Sequence, residues 1–358
     1  MPKNPKKHFV KMMLRTGYLF FVKPADCSGL VKASYDRISE RYDEAWTDHM
    51  RHLTESLIGE LGPRPGDVCV DLTCGTGFAT KLLAEKTGAT VVGVDSSPGM
   101  LAQARRYRGD RCDFVQADVL EYLRAQEPFS ADIVTCCWGL GYTKPFSVLR
   151  QIKRVLKPGG KVAIIDNSMF SLREILYCSF LTFAEQPEKL HNVMRFRFLP
   201  GSKTLRLMFR LLGLKTLYSD NGSKSYTVEN GKAAIDRLRA TGAAAGFEYA
   251  SDEKDAEAIF NRFAQIVEDK CISGGRIPPD GKLPDASRPP VGRTHGGQSH
   301  PRPVYTSGGR IPPDGKLPDA SRPPVGRTHG GQSHPRPVYM TDQEITITHR
   351  YLAGIGRK

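Results

Sequence analysis

Short apolar runs alternate with helical patterns through the middle of this chain. We expect strands near 67–72, 90–95, 112–117, 131–137 and 160–166, each bounded by turn residues. Helices are expected between them near 78–87, 98–107 and 145–156. This alternation predicts an α/β fold of Rossmann-like type, a doubly wound and mostly parallel seven-stranded sheet with helices on both faces. Ligands of such sheets bind beyond the carboxyl ends of the strands.

Three further elements are expected towards the end of the chain. Residues 231–245 have a helical pattern, and 246–250 resemble a short strand. Apolar residues then recur at helical spacing over 256–267. Residues 344–355 alternate between apolar and polar side chains, which predicts a last strand.

A perfect repeat separates that last strand from the rest. Residues 273–305 recur letter for letter at 307–339, and the pair holds 14 of the 25 prolines. The repeats contain too few apolar side chains for their burial to offset the conformational entropy lost on folding. We therefore expect a disordered insertion. Perfect identity favours a recent duplication over a stacked solenoid. A basic tether for nucleic acid or anionic lipid is the alternative.

The positive charge is concentrated outside the central region. The chain carries a net charge of +14, of which residues 1–32 contribute +6 and the two repeats another +6. Nucleic-acid enzymes usually surround their cleft with basic residues, whereas the remaining residues carry only +2. The distribution disfavours a nucleic-acid partner without excluding one.

Residues 9–22 mix bulky apolar side chains with Lys11 and Arg15. The segment is too short and too interrupted to span a bilayer, and no signal-peptide cleavage pattern follows it. It would either lie at a membrane interface or form an extra helix on one edge of the core. Eight scattered cysteines lack metal-ligand spacing, so we expect no metal and a reducing compartment. A cytoplasmic location follows, with peripheral membrane contact as the alternative.

Acidic residues end three successive predicted strands. Asp71 precedes a turn that contains Gly75 and Gly77, while Asp95 and Asp118 end the next two strands. A carboxylate at Asp71 would repel a pyrophosphate, but it suits an adenosine ligand with a positive amino group. Asp95 could accept from ribose hydroxyls, and Asp118 could accept from the adenine amine. S-adenosylmethionine (SAM) has all three features.

Four motifs together resemble the class I SAM-dependent methyltransferases. They are the glycine motif at 71–77, the ribose strand and helix cap at 94–100, the adenine contact at 117–119 and the turn at 156–160, and the resemblance covers about 34–160. Thr73 departs from the pattern, because the family commonly has a small residue there. The resemblance implies SAM as cofactor, held by Asp71, Thr73, Cys74, Gly75, Gly77, Asp95, Ser96, Met100, Asp118 and Val119.

A paired Tyr-Asp segment at 35–43 resembles the ubiquinone/menaquinone-biosynthesis methyltransferase group. By that resemblance Tyr35 or Tyr42 would close over the methionine end of SAM. The alternative is that two tyrosines seven positions apart form one face of a packed helix.

Methyl transfer from a sulfonium needs geometry more than acid–base chemistry, so the sequence identifies no general base. Trp138 and Tyr142, which follow the fourth strand, are the candidate catalytic residues, as contacts for adenine or acceptor. Cys137 lacks the neighbouring proline of cytosine-C5 enzymes and is disfavoured as a nucleophile. His191 is expected to be a surface or packing residue.

The predicted organisation has four parts. They are a basic amphipathic segment (1–33), a methyltransferase domain (34–272) with a substrate cap (167–230), the repeat (273–339) and a C-terminal strand (340–358). In the resembled family that strand inserts antiparallel beside its predecessor. The apolar and basic cap suits a small hydrophobic or lipid-like acceptor, either a quinone precursor or an amino-headgroup lipid. The alternatives are an RNA or protein methyltransferase that docks through basic termini, and a non-catalytic SAM-fold binding protein.

Overall fold

A computed structural model describes residues 5–25, 27–107, 109–271 and 344–358. Both copies of the repeat, and the disorder predicted for them, lie outside the described residues. The strands are β1 (Cys69–Leu72), β2 (Val91–Asp95), β3 (Cys112–Gln116), β4 (Ala131–Cys137), β5 (Leu156–Asn167), β6 (Lys215–Val228) and β7 (Ile345–Arg357). The helices are α1 (Pro5–Phe21), α2 (Cys27–Ile38), α3 (Asp48–Leu61), α4 (Phe78–Thr87), α5 (Pro98–Tyr107), α6 (Val119–Ala125), α7 (Pro145–Val155), α8 (Arg173–Glu185), α9 (Ser202–Leu211), α10 (Gly231–Ala240), α11 (Ala245–Glu248) and α12 (Glu253–Cys271).

The seven strands form one sheet in the order β3-β2-β1-β4-β5-β7-β6. Strands β1 to β5 run parallel, and β7 runs antiparallel between β5 and β6. The predicted α/β class, the five parallel strands and the inserted C-terminal strand are therefore confirmed.

Both faces of the sheet are covered, which explains the continuous apolar runs in its central strands. On one face Val134 and Ile164 pack in a core with Ile152 of α7. On the other face Ile133 packs in a core with Ile58 of α3. A third core forms around α8, α10 and α12.

The structure differs from the sequence prediction at several elements: helix α6 was not predicted, and β5 begins at Leu156, within the segment expected to be a turn. Strand β6 was not predicted, because its alternating positions are half-buried or exposed rather than apolar and buried. The strand expected at 246–250 is wrong: Ala245–Glu248 forms the helical turn α11. Phe247 there stacks on Phe263 with ring centroids 4.3 Å apart. The Glu248 carboxylate accepts a hydrogen bond from the Ser34 hydroxyl at 3.0 Å, and these contacts outweigh the local strand pattern.

Helix α1 packs as an additional helix on the third core. Met12 and Leu19 are buried there, whereas Leu14 and Phe21 on the other side are 71% and 81% exposed. Within the described ranges, no helix is both long enough and apolar enough to cross a bilayer.

Candidate functional site

Asp71, at the end of β1, is completely buried below the glycine turn. Its two carboxylate oxygens accept hydrogen bonds from the hydroxyls of Thr80, at 2.7 Å, and Thr135, at 2.6 Å. Desolvation raises the pKa of Asp71 to about 6, and the two hydroxyl bonds oppose that rise. The residue therefore holds β1, α4 and β4 together at the point where the strands end.

Asp95 joins the end of β2 to the glycine turn. One carboxylate oxygen accepts from the backbone N–H of Gly75 and the other from the N–H of Ser97, both at 2.9 Å. Burial raises the pKa of Asp95, while these backbone bonds lower it. Gly75 and Gly77 have φ values of 54° and 80°, in the left-handed region that favours glycine.

The two Tyr-Asp pairs hold the two loops that the sequence assigned to the cofactor. Asp36 accepts from the Ser97 hydroxyl at 2.5 Å and from the N–H of Gly99 at 3.0 Å, at the start of α5. Asp43 accepts from the hydroxyl of Thr76, in the glycine turn, at 2.5 Å. The N-terminal segment is thus built onto both loops, which a simple packed helix face would not require.

A small cavity of about 50 Å³ lies between that segment and the strand ends. Asp71, Thr73, Cys74 and Gly75 line it from the glycine turn, and Tyr42 lines it from the opposite side. Its other lining residues are Trp46, Thr47, Met50, Thr54, Thr76, Phe78, Ala79, Cys137 and Trp138. Residues 43–47 form a π-helical turn, a feature often found at functional sites.

Thr73 has a φ of 52°, which is unusual for a β-branched residue. A Cβ added to Gly139 would lie 2.4 Å from the Thr73 Oγ1, so the two residues fit closely against each other. Glycine at position 139 thus leaves room for the threonine side chain at position 73.

The remaining predicted cofactor residues lie along the same edge of the sheet. Asp118 is the N-cap of α6 and accepts from the N–H groups of Leu120 and Glu121 at 2.8 and 3.0 Å. Val119 and Met100 are buried and Ser96 is exposed. The assignment of these four residues to SAM stays a prediction.

An aromatic wall adjoins the cavity. Tyr35 contacts the rings of Tyr42 and Tyr142, each with a centroid distance of 5.8 Å, and its hydroxyl donates to that of Tyr142 at 3.0 Å. Tyr142 also contacts Phe196 and Phe198, at 5.5 and 5.3 Å. Burial raises the pKa of Tyr142 to about 12, which keeps its hydroxyl protonated.

Asp166, at the end of β5, lies behind this wall. It is 3% exposed and accepts from the N–H of Gly141 at 2.6 Å. Desolvation raises its pKa to about 7. It was missed in the sequence, although the rule that selected Asp71 and Asp95, an acid at a strand end, also applies to it.

The other candidates have defined positions. Trp138 lines the cavity, and its Nε1 donates to Thr54 Oγ1 at 2.9 Å. Burial raises the pKa of the Cys137 thiol well above its usual range, which disfavours a thiolate nucleophile. His191 Nε2 lies 3.5 Å from an oxygen of Asp252 at the surface. Among the described residues no group of three or more His, Cys, Asp or Glu could hold a metal ion.

Most cavity residues that the sequence analysis missed come from the start of the chain. Trp46, Met50 and Thr54 face the cavity from the π-helical turn and α3. Their four-residue spacing is a helix-face signal, and its direction towards the strand ends could not be known before the fold.

Comparison with known proteins agrees with this geometry. Residues 69–160 match the family model described as a methyltransferase domain. Residues 69–160 are therefore similar to a methyltransferase domain. The matched segment runs from β1 to the start of β5 and includes Asp71, Asp95 and Asp118.

Quinone methyltransferases are among the proteins to which this chain is similar. The 2-phytyl-1,4-naphtoquinone methyltransferase of Trichormus variabilis is 35% identical over 148 residues, which cover 38% of this chain and 64% of the relative. The demethylmenaquinone methyltransferase of Staphylococcus aureus is 29% identical over 201 residues, covering 50% of this chain and 82% of the relative. The YcgJ protein of Bacillus subtilis has a TM-score of 0.48 at 12% identity, over 86% of this chain and 98% of that one. The chain thus spans just under two thirds of the length of the first of these relatives.

The carboxylates of the site fit SAM. Four carboxylates, those of Asp36, Asp43, Asp71 and Asp95, converge on the two loops at the strand ends. Such a set suits a cationic ligand and would repel the phosphates of a dinucleotide. The expected cofactor class therefore agrees with the chemistry of the site.

Proposed function

We propose that this protein transfers a methyl group from SAM to a small hydrophobic acceptor that contains a ring, of the quinone-precursor type. The observation that carries the proposal is the aromatic wall of Tyr35, Tyr42, Tyr142, Phe196 and Phe198 beside the cofactor cavity. Flat aromatic walls suit a flat apolar ligand. The names of the two quinone methyltransferase relatives support the same class of acceptor.

The bound cofactor would supply an electrophilic methyl group, and the protein would supply geometry. The carboxylates at the strand ends would hold the amino group and ribose of SAM. The aromatic wall would exclude water and hold the acceptor in line. The Tyr35 hydroxyl donates its hydrogen bond to Tyr142, so the Tyr142 hydroxyl, which remains protonated at neutral pH, can donate to an oxygen of the acceptor.

Calorimetric titration with SAM tests the cofactor assignment. Asp95→Asn keeps the size of the side chain but removes its charge, and we expect at least about tenfold weaker binding. Asp113→Asn is the matched control, because Asp113 is exposed on the neighbouring strand β3. Equal affinities for the wild type and Asp95→Ala or Asp95→Asn would contradict the assignment.

Methyl transfer itself needs a separate assay. Incubation with radiolabelled SAM and a short-chain 2-prenyl-1,4-naphthoquinol should label the quinol. Label in RNA or protein from a cell extract, with none in the quinol, would favour the alternative enzyme classes. SAM binding without any transfer would favour a non-catalytic binding protein.

We further propose that the outer face of α1 contacts an anionic lipid surface, which would bring the enzyme to a hydrophobic acceptor. Val10, Met13, Leu14 and Phe21 are each more than half exposed along this face. The helix contains four Lys or Arg residues and no acid, so its charge complements acidic headgroups.

Vesicle sedimentation tests the lipid contact. Wild-type protein should bind vesicles that contain 30% phosphatidylserine, and Leu14→Gln with Phe21→Gln should abolish most of that binding. Leu211→Gln is the matched control, because Leu211 is 66% exposed on α9. Equal binding by the double variant and the control would refute the contact.

A further inference from the structure

A group of aromatic and basic side chains lies beside the cofactor cavity, and among them only Trp46 also lines that cavity. We call it the histidine cluster: Trp46, His49, Tyr226, Arg237 and His349. Its members come from the π-helical turn, α3, β6, α10 and β7. The fold therefore assembles it from five separate elements.

His349 is the centre of the cluster and is 1% exposed. Its ring lies 5.1 Å from Trp46, 5.8 Å from Tyr226 and 6.3 Å from His49, measured between centroids. The Arg237 guanidinium lies over the Tyr226 ring at 5.3 Å.

Six polar atoms of the cluster are buried without a hydrogen-bond partner among the described residues. They are both ring nitrogens of His349, Nε2 of His49, Nε1 of Trp46, the hydroxyl of Tyr226 and Nε of Arg237. Buried polar groups are nearly always paired in folded proteins, and each unpaired one destabilises the fold. Six unpaired atoms in one cluster indicate a place where a polar ligand supplies the partners.

The charge of the cluster restricts the chemistry of that ligand. Desolvation is the main cause that lowers the pKa of His49 to about 4 and that of His349 to about 3, so both rings are neutral at pH 7. The positive charge of Arg237, and for His49 also that of Lys224, acts in the same direction. Lys224 Nζ also donates to the His49 carbonyl and lies 3.1 Å from His52 Nδ1. The surroundings are cationic, so they favour an acceptor-rich neutral or anionic group and disfavour a positively charged amine.

The cluster is also placed where a methyl acceptor would have to be. Trp46 lines the cofactor cavity and contacts Trp138, with ring centroids 5.5 Å apart. His349 lies on β7 two residues before Tyr351, which pairs with Asn167 at the carboxyl end of β5. The cluster therefore sits at the ligand-binding edge of the sheet, one indole ring away from the cavity.

We propose that the histidine cluster binds the oxygen-bearing ring of the acceptor, as a quinol or phenol, and that it discriminates against acceptors with an amine head. His349 and Tyr226 exchange hydrogen bonds with the ring oxygens, and Trp46 packs against the ring next to the methyl donor. This inference rests on the proposed methyl transfer, and it selects the quinone precursor over the amino-headgroup lipid.

Intrinsic fluorescence reports directly on this site, because the two tryptophans of the chain, Trp46 and Trp138, both lie at it. Titration with 2-prenyl-1,4-naphthoquinone should quench the emission in a saturable way. A long-chain choline or ethanolamine amphiphile should not compete with the quinone. Competition by the amine amphiphile at equal concentration would overturn the proposed selectivity.

The decisive variant is His349→Phe, which keeps the ring contacts and removes both nitrogens. We expect quinone affinity and kcat/KM for the quinol to fall by roughly tenfold or more. We expect the free protein to become more stable, because two unpaired buried atoms are gone. If His349 had a purely structural role, His349→Phe would instead lower the free energy of unfolding.

Two further variants complete the test. His349→Gln provides an amide donor and an amide acceptor, so it should bind the quinone more tightly than His349→Phe but less tightly than the wild type. His191→Phe is the control, because His191 lies at the surface beside Asp252, and it should change neither property. If His349→Phe lowers stability and leaves quinone affinity unchanged, the cluster is structural and the proposal is wrong.

The proposed methyl transfer fails in a distinguishable way. Absence of calorimetric SAM binding in the wild type would refute the methyltransferase function itself. Normal SAM binding with unsaturable or absent quenching would refute only the acceptor site.

Discussion

Replacing Asp166 by asparagine should flatten the pH dependence of stability between pH 5 and pH 8. Asp166 is 3% exposed at the end of β5, and desolvation raises its pKa from 3.8 to about 7. The unfolded chain therefore releases this proton near pH 4, whereas the folded protein retains it up to about pH 7. Within this interval the folded state binds more protons than the unfolded state.

The sign of the effect follows from that difference. Because the folded state binds the extra proton, the free energy of unfolding decreases as the pH rises from about 4 to about 7, and it levels off above. A difference of about three pKa units corresponds to at most about 4 kcal/mol. Asp71, whose pKa rises to about 6, adds a smaller contribution of the same sign.

Urea unfolding at pH 5, 6, 7 and 8 measures this dependence. The wild type should lose stability across the series, and Asp166→Asn should lose distinctly less, whatever its absolute stability. Asp132→Asn is the control: Lys157, 2.7 Å away, helps to lower the pKa of Asp132, so that carboxyl is ionised in both states above pH 5. Parallel slopes for the wild type and Asp166→Asn would show that Asp166 is ionised in the folded protein.

Two other changes test the packing at the strand ends. Gly139→Ala should destabilise the protein by about 1–3 kcal/mol, because the added Cβ would lie 2.4 Å from Thr73 Oγ1. In a Thr73→Gly background the same change should alter the free energy of unfolding little. Additive effects in this double-mutant cycle, measured by urea unfolding, would contradict the close fit. Thr135→Val removes one of the hydroxyls that donate to Asp71, so it should lower the free energy of unfolding by about 1–3 kcal/mol at pH 8. The loss should be smaller at pH 5, where Asp71 is protonated. An equal loss at both pH values, measured by thermal unfolding, would contradict that explanation.

The sequence predicted the parallel half of the sheet closely. Strands β1, β2, β4 and β5 are largely buried on both faces and so appear as apolar runs that end in an acid or a turn, whereas the edge strand β3 is mostly exposed. The match holds to within two residues for β1 to β3, and β4 matches the predicted bounds. The antiparallel β7 was predicted from its alternation together with the family resemblance.

The errors lie where stability depends on contacts distant in sequence. Strand β6 is an edge strand with Lys, Ser and Asp at its half-exposed positions, and it pairs only with β7, which occurs much later in the chain. The turn α11 owes its conformation to Phe263 and Ser34. Neither partnership is visible in a local window of sequence.

The site was predicted in part for the same reason. Residues on the loops after β1, β2 and β3 were found, because their positions follow from the strand ends. Trp46 and His349 were missed, since nothing local shows that a π-helical turn and the last strand come together above β5. The histidine cluster is a product of the tertiary fold.

The order of the strands in the sheet has a consequence for synthesis of the protein. Strand β7 fills the gap between β5 and β6, yet more than a hundred residues separate Val228, the end of β6, from Ile345, the start of β7. At about 5–20 residues per second a ribosome needs on the order of ten seconds to add that stretch. During this interval the nascent chain presents the open backbone edge of β5, a surface that chaperones and neighbouring nascent chains can bind.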